Sequence, residues 1–232
     1  LGAFQSVAVY TQISRRAFDL GKLLKKLSQR HPCDIVFDST GLKVYGEGEW
    51  KTRQDGISKR RTWRKLHIGM DPKSGEIIMA ELTDNGEGAG DGEVAKQHIN
   101  GLPKGVKRVF ADGAYDGIEF RREVEKIEAE VIIPPPRGSV VHENPDGAMK
   151  KRNDAVLEIL GLGGDDDGRR LWKKLKGYHR RSLVETTMYR IKQITGSNLR
   201  SRNLENQSVE ACIRCLVINK MTGLGMPFGM WQ

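Results

Sequence analysis

Two short apolar runs constrain this chain more than any other feature. Ile35-Val36-Phe37 and Val109-Phe110-Ala111 each end on an aspartate, Asp38 and Asp112, that opens a turn. Brief apolar runs bounded by turn residues are buried strands. Between them, Leu66, Ile68 and Met70 alternate with polar or small residues. Beyond the turn sequence Asp71-Pro72-Lys73-Ser74-Gly75-Glu76, Ile77, Met79 and Glu81 alternate against Ile78, Ala80 and Leu82, which makes a hairpin. A short helix is expected after Asp91, its N-cap, and another over Ile118 to Ile127. The strand Ala129 to Ile133 is stopped by three prolines. The order β, β, β, α, β, α, β implies an α/β layer fold with a mixed sheet. If the two Asp-terminated strands are parallel neighbours, their C-terminal ends set two carboxylates side by side. Like charges so placed need neutralising, and hard oxygen donors suit Mg²⁺ or Mn²⁺. A plainer role stays open for both, as turn-forming aspartates, with Asp116 capping the next helix.

A second constellation lies in the stretch GYHRRSLVETTMYRIKQITG. With about 100° per residue, a helix from about 178 to 195 returns Tyr178, Arg181, Glu185 and Lys192 to an arc of roughly 60°. One carboxylate is then framed by two cations and a phenol. Leu183, Val184, Met188, Ile191 and Ile194 form the adjoining apolar face, which can dock on a core. The plain alternative is an amphipathic surface helix with an Arg181–Glu185 ion pair one turn apart.

The 232 residues suffice for one domain carrying a large insertion, or two small ones. Lys and Arg number 39 against 30 acids, a net charge of +9 that favours a polyanionic partner. Lys51, Arg53, Lys59, Arg60, Arg61, Arg64 and Lys65 crowd one segment flanked by Trp50 and Trp63. A second basic group, from Lys150 to Lys176, falls in a charged stretch poor in apolar periodicity. Three cysteines exclude a disulfide scaffold and point to a reducing, cytoplasmic setting. Cys212 and Cys215 fit the core side of an apolar helix over about 207–222 better than a zinc site. No run approaches a membrane span. The expected organisation is an N-terminal helical segment at 1–30, a remnant of an upstream region; a core at 31–136; an insertion with one helix at 137–176; and two closing helices at 177–226. The Gly/Asp run at 161–168 reads as a solvated loop without a role.

Four segments, FDSTGLKVYGEGEW, SKRRTWRKLHIGMD, FADGAYD and YHRRSLVETTMYRIK, occur in that order. Together they resemble the catalytic domain of the insertion-sequence-five family of DDE transposases, within the wider insertion-sequence-four superfamily. The likeness runs from about residue 10 to about residue 226. It implies an RNase H-like core, a mixed five-stranded sheet with helices on both faces, interrupted by an insertion before the last catalytic helix. Asp38, Asp112 and Glu185 would be the catalytic, metal-binding acids. Tyr178, Arg181 and Lys192 would hold DNA phosphates, and Lys59, Arg60, Arg61, Trp63 and Arg64 would add DNA contacts. Two Mg²⁺ or Mn²⁺ ions about 3.5–4 Å apart would serve cleavage and strand transfer. The implied partners are double-stranded DNA, both element ends and target, and a second subunit in a DNA-bound homodimer. An RNase H-like nuclease without strand transfer and a truncated DNA-binding remnant remain open. The family's upstream segment for terminal inverted repeats has little room before residue 31.

Overall fold

Asp34–Val44 forms β1, the strand around which the molecule is built. A computed structural model describes residues 12, 15–16, 27–28, 31–44, 63–84, 90–102 and 104–225. The hairpin of β2 (Trp63–Met70) and β3 (Ile77–Thr83) runs antiparallel along one side of β1. On the other side β4 (Arg108–Phe110) and β5 (Glu130–Ile132) are parallel to it. The order is β3-β2-β1-β4-β5, and the short β6 (Asn198–Leu199) pairs with the far end of β1. The expected mixed α/β sheet with helices on both faces is what the chain forms, with β6 as a sixth short strand beyond the five expected. The hairpin turn is closed by Asp71, whose carboxylate accepts from the Lys73 amide at 2.9 Å and the Ser74 hydroxyl at 2.7 Å.

Alternate residues of a strand face opposite sides, and two separate cores follow from that rule. Ile35, Phe37, Val109 and Ala111 pack with α1 (Asp91–Ile99) and α2 (Ile118–Lys126). Val36, Leu42, Leu66, Ile68 and Phe110 pack with α3 (Gly147–Gly161), α4 (Asp165–Leu175), α5 (Ser182–Thr195) and α6 (Leu204–Leu224). Cys215 is wholly buried in that second core and Cys212 packs on its edge, as expected of core residues.

Five local expectations change. Asp91 does not cap α1: Gly90 holds that position, and the carboxylate turns to Lys65 Nζ at 2.8 Å and His67 Nδ1 at 3.3 Å. The Lys65 ammonium on β2 holds it more strongly than an N-terminal amide can. Asp116 likewise leaves helix capping for Arg121. The helix expected from 178 is a 3-10 turn, Tyr178–Arg181, followed by α5 proper. Gly177, at φ 66°, separates that turn from α4. The stretch 137–176 holds two helices rather than one, and the final helix is longer than expected, capped by Asn203 through the Asn206 amide at 2.8 Å. The segment 1–30, apart from residues 12, 15–16 and 27–28, lies outside the described residues, as do Trp50, Lys51, Arg53, Lys59, Arg60 and Arg61. Among the described residues no helix is long and apolar enough to cross a membrane.

The Gly/Asp run is a helix junction. Gly163 and Gly164, at φ 108° and 63°, reverse the chain after α3. Asp165, Asp166 and Asp167 occupy the first turn of α4, where the helix dipole favours negative charge. Gly168 lies against α3 so closely that an added Cβ would sit 2.6 Å from the Ile159 carbonyl oxygen. Gly168→Ala is expected to destabilise the fold by about 1–3 kcal/mol, the usual cost of overpacking. A urea titration checks this, and a loss under about 0.5 kcal/mol would contradict the tight helix contact.

Candidate active site

The sheet register brings the two aspartates together. Val36 pairs with Phe110 across the parallel β1–β4 ladder. Two residues further along each chain come Asp38 and Asp112, on the same face by the period of two. That face is the one α5 covers. Asp112 continues the extended backbone (φ −84°, ψ 179°), and its carboxylate accepts from the Ala114 amide at 2.9 Å. Asp38 accepts from the Ser39 amide at 2.8 Å. Glu185 comes from the first turn of α5, which Val184, Met188 and Ile191 anchor on the sheet. The side chains grade from floor to rim: Asp38 is 10% exposed, Asp112 37% and Glu185 56%.

One guanidinium joins all three acids. Arg181 donates through Nη2 to Asp38 at 2.8 Å and to Asp112 at 3.5 Å, and through Nη1 to Glu185. Its Nε is buried without a hydrogen-bond partner among the described residues. Burial raises the Asp38 pKa. The Ser39 amide and Arg181 oppose that rise, and the charges of Asp112 and Glu185 add to it. Burial also works against the charge of Arg181, but the carboxylates of Asp38, Glu185 and Asp112 outweigh it and hold the guanidinium protonated. Tyr178 packs beside this cluster and donates to the Ala111 carbonyl at 3.1 Å. Burial pushes its phenol up to about 12, against the pull of Arg181 and with help from Asp112, Asp38 and Glu185. It is therefore a hydrogen-bond donor at neutral pH. Lys173 Nζ lies 5.4 Å from the centre of its ring.

The other expected site residues are distributed. Lys192 is half-buried two turns after Glu185 on α5. Arg64 faces α6, where its Nε donates to Gln207 at 2.9 Å. Trp63 is 42% exposed and lies beside Gly41 on β1. Much of the second basic group is engaged: Lys151 with Glu125, Arg152 with Asp116, Arg170 with Asp167, and Lys176 with Glu130 and Glu158.

Two supporting sets were not foreseen. Behind the site, Asp91 gathers β2 side chains at the start of α1: Lys65 Nζ lies 2.8 Å from one carboxylate oxygen and His67 Nδ1 3.3 Å from the other, and Ser39 lies beside them on β1. The strand alternation that places Ser39, Lys65 and His67 on one face was the available signal. The second set is Arg180, which donates to Asp34 at 2.5 Å while Arg108 grips the same carboxylate at 2.6 and 2.8 Å. This clamp fixes the 3-10 turn to the start of β1, and no local pattern announces it.

The donor set suits hard divalent cations: three carboxylates, converging on a point already taken by positive charge. Among the described residues no three acidic, His or Cys side chains form a closed metal cage as they stand, since the guanidinium stands between them. A family model described as the transposase DDE domain matches residues 29–220, a span that contains every residue of this cluster. Among solved structures, the chain is similar to the Mos1 mariner paired end complex with Mn, at 13% identity and a TM-score of 0.28, over 98% of this chain and 67% of that one.

Proposed function

The chain belongs to the transposase DDE domain family, and from that membership we propose that it is a DNA transposase that cleaves and joins strands at the ends of an insertion sequence. The observation that carries the reading is the convergence of Asp38, Asp112 and Glu185 on one cationic point, from β1, from the end of β4 and from α5. Asp38 and Asp112 would hold the inner ligand positions and Glu185 the outer one. Mg²⁺ or Mn²⁺, as a pair of ions, would supply the Lewis acidity that activates a water or a 3′-hydroxyl and steadies the leaving oxygen.

The protein's own part is to hold and orient. The two strand ends fix two carboxylates on a rigid sheet, so no reorganisation is needed there during reaction. Tyr178, Arg181 and Lys192 would offer donors suited to phosphate oxygens. Arg offers a planar fork and Lys a point charge. Lys59, Arg60, Arg61, Trp63 and Arg64 would steer the duplex without reading its bases. A homodimer on DNA follows from the need to hold two element ends. The insertion-sequence-five assignment, within the insertion-sequence-four superfamily, rests on the four matching segments of the sequence.

The test combines the chain with Mg²⁺, a duplex ending in a free 3′-hydroxyl, and a supercoiled plasmid. Joined duplex–plasmid products are expected. Nicking without joining would replace strand transfer by plain nuclease action. No metal-dependent cleavage of any DNA would remove the enzymatic reading altogether.

A further inference from the structure

Arg181 makes contacts that a residue serving only as a DNA clamp has no need of. It reaches across to Asp38 at 2.8 Å and Asp112 at 3.5 Å and binds Glu185 besides. The point where these three acids meet is the point where a divalent cation would be held. Both cannot occupy it. We infer that Arg181 is an internal counterion that yields its place to the divalent cation and, once displaced, grips a DNA phosphate. This deepens the transposase reading and rests on it.

Two features favour exchange over a permanent salt bridge. The guanidinium is incompletely satisfied, with Nε buried and unpartnered among the described residues, so the contact is not a closed network. The side chain can also move alone. It sits 20% exposed at the end of the 3-10 turn, while its neighbour Arg180 pins that turn to Asp34 at 2.5 Å. A change of side-chain rotamer suffices, with the backbone held.

The consequence is coupling between two ligands. A phosphate that takes up the guanidinium vacates the acids, and a cation on the acids frees the guanidinium. By linkage, DNA and metal raise each other's affinity by one common factor. The acids are then closed to metal until DNA is present, which guards against cleavage without a bound end.

Calorimetric titration of Mn²⁺ into the full chain tests this, with Arg181→Gln, Arg181→Lys and Asp38→Asn as variants and a short duplex as the second ligand. Arg181→Gln is expected to bind Mn²⁺ about tenfold or more tightly than the parent. The duplex should raise the parent's Mn²⁺ affinity by a similar factor and leave Arg181→Gln unchanged. Arg181→Lys should follow Arg181→Gln, because an ammonium has no planar fork to bridge three acids. A parent-like Arg181→Lys would reduce the effect to simple charge repulsion and overturn the exchange. Equal Mn²⁺ affinity in parent and Arg181→Gln, lost in Asp38→Asn, would overturn it too while leaving the transposase reading intact. Failure of both parent and Arg181→Gln to bind Mn²⁺ through Asp38 would overturn both.

Discussion

Asp38→Asn is expected to abolish metal-dependent nicking, by about 10³-fold or more, while the protein stays folded and binds DNA. The loss follows from geometry. Asp38 is the innermost of the three acids, and its amide replacement keeps the shape but removes the charge a divalent ion needs. Folding should not suffer. Burial raises the Asp38 pKa above its ordinary value, so in metal-free buffer the ionised form opposes folding. That opposition is full above the raised pKa and vanishes below the ordinary one. The neutral amide should therefore melt at or above the parent's temperature near pH 7, and the difference should shrink as the pH falls. Asp112→Asn and Glu185→Gln should share the loss of nicking. DNA affinity by fluorescence anisotropy, melting in EDTA and plasmid nicking separate the three effects. Parent-like nicking by any of the three variants would end that residue's assignment.

The strand ends were legible because their signal is local. Ile35-Val36-Phe37-Asp38 and Val109-Phe110-Ala111-Asp112 each carry the buried run and its terminal acid in four residues. The pairing of Val36 with Phe110 then sets the acids together by strand period alone. The hairpin was legible for the same reason. The break before α5 was not, because a 3-10 turn replaced the regular helix that the 100° arc assumed. The second insertion helix was hidden for another reason. Its first four residues, Asp165, Asp166, Asp167 and Gly168, follow two glycines and read as a solvated loop, which masked the amphipathic turns behind them. Least legible was the role of Arg181. Its bonds to Asp38 and Asp112 span 143 and 69 residues of chain, beyond any local rule. The same holds for Asp91, whose cap-like position gave no hint of Lys65 and His67 on a neighbouring strand.

Asp116→Ala is expected to give the largest loss of stability in the molecule, about 3–5 kcal/mol. Asp116 and Arg121 are 3% and 2% exposed, with the carboxylate accepting from Arg121 at 2.6 and 2.8 Å. Arg152, 12% exposed on α3, donates to the other oxygen at 3.1 Å. One carboxylate thus balances two guanidinium groups in a nearly dry pocket. Burial already lowers the pKa of Arg121, against the stabilising charge of Asp116, and Arg152 adds to the burden. Removal of Asp116 leaves two buried cations facing each other, a heavier cost than loss of the bond alone. Adding Arg121→Met to Asp116→Ala should recover part of the loss by deleting one of the stranded charges, a non-additivity that a double-mutant cycle measures. Urea denaturation of the two single variants and the double supplies the numbers. A loss below about 1 kcal/mol for Asp116→Ala would mean that water reaches the pair freely. The pair also bears on catalysis, since Asp116 follows Asp112 by four residues and Arg152 ties that turn to the insertion. Weakening it should loosen Asp112 first, so nicking is expected to fall at temperatures where the sheet itself is still folded.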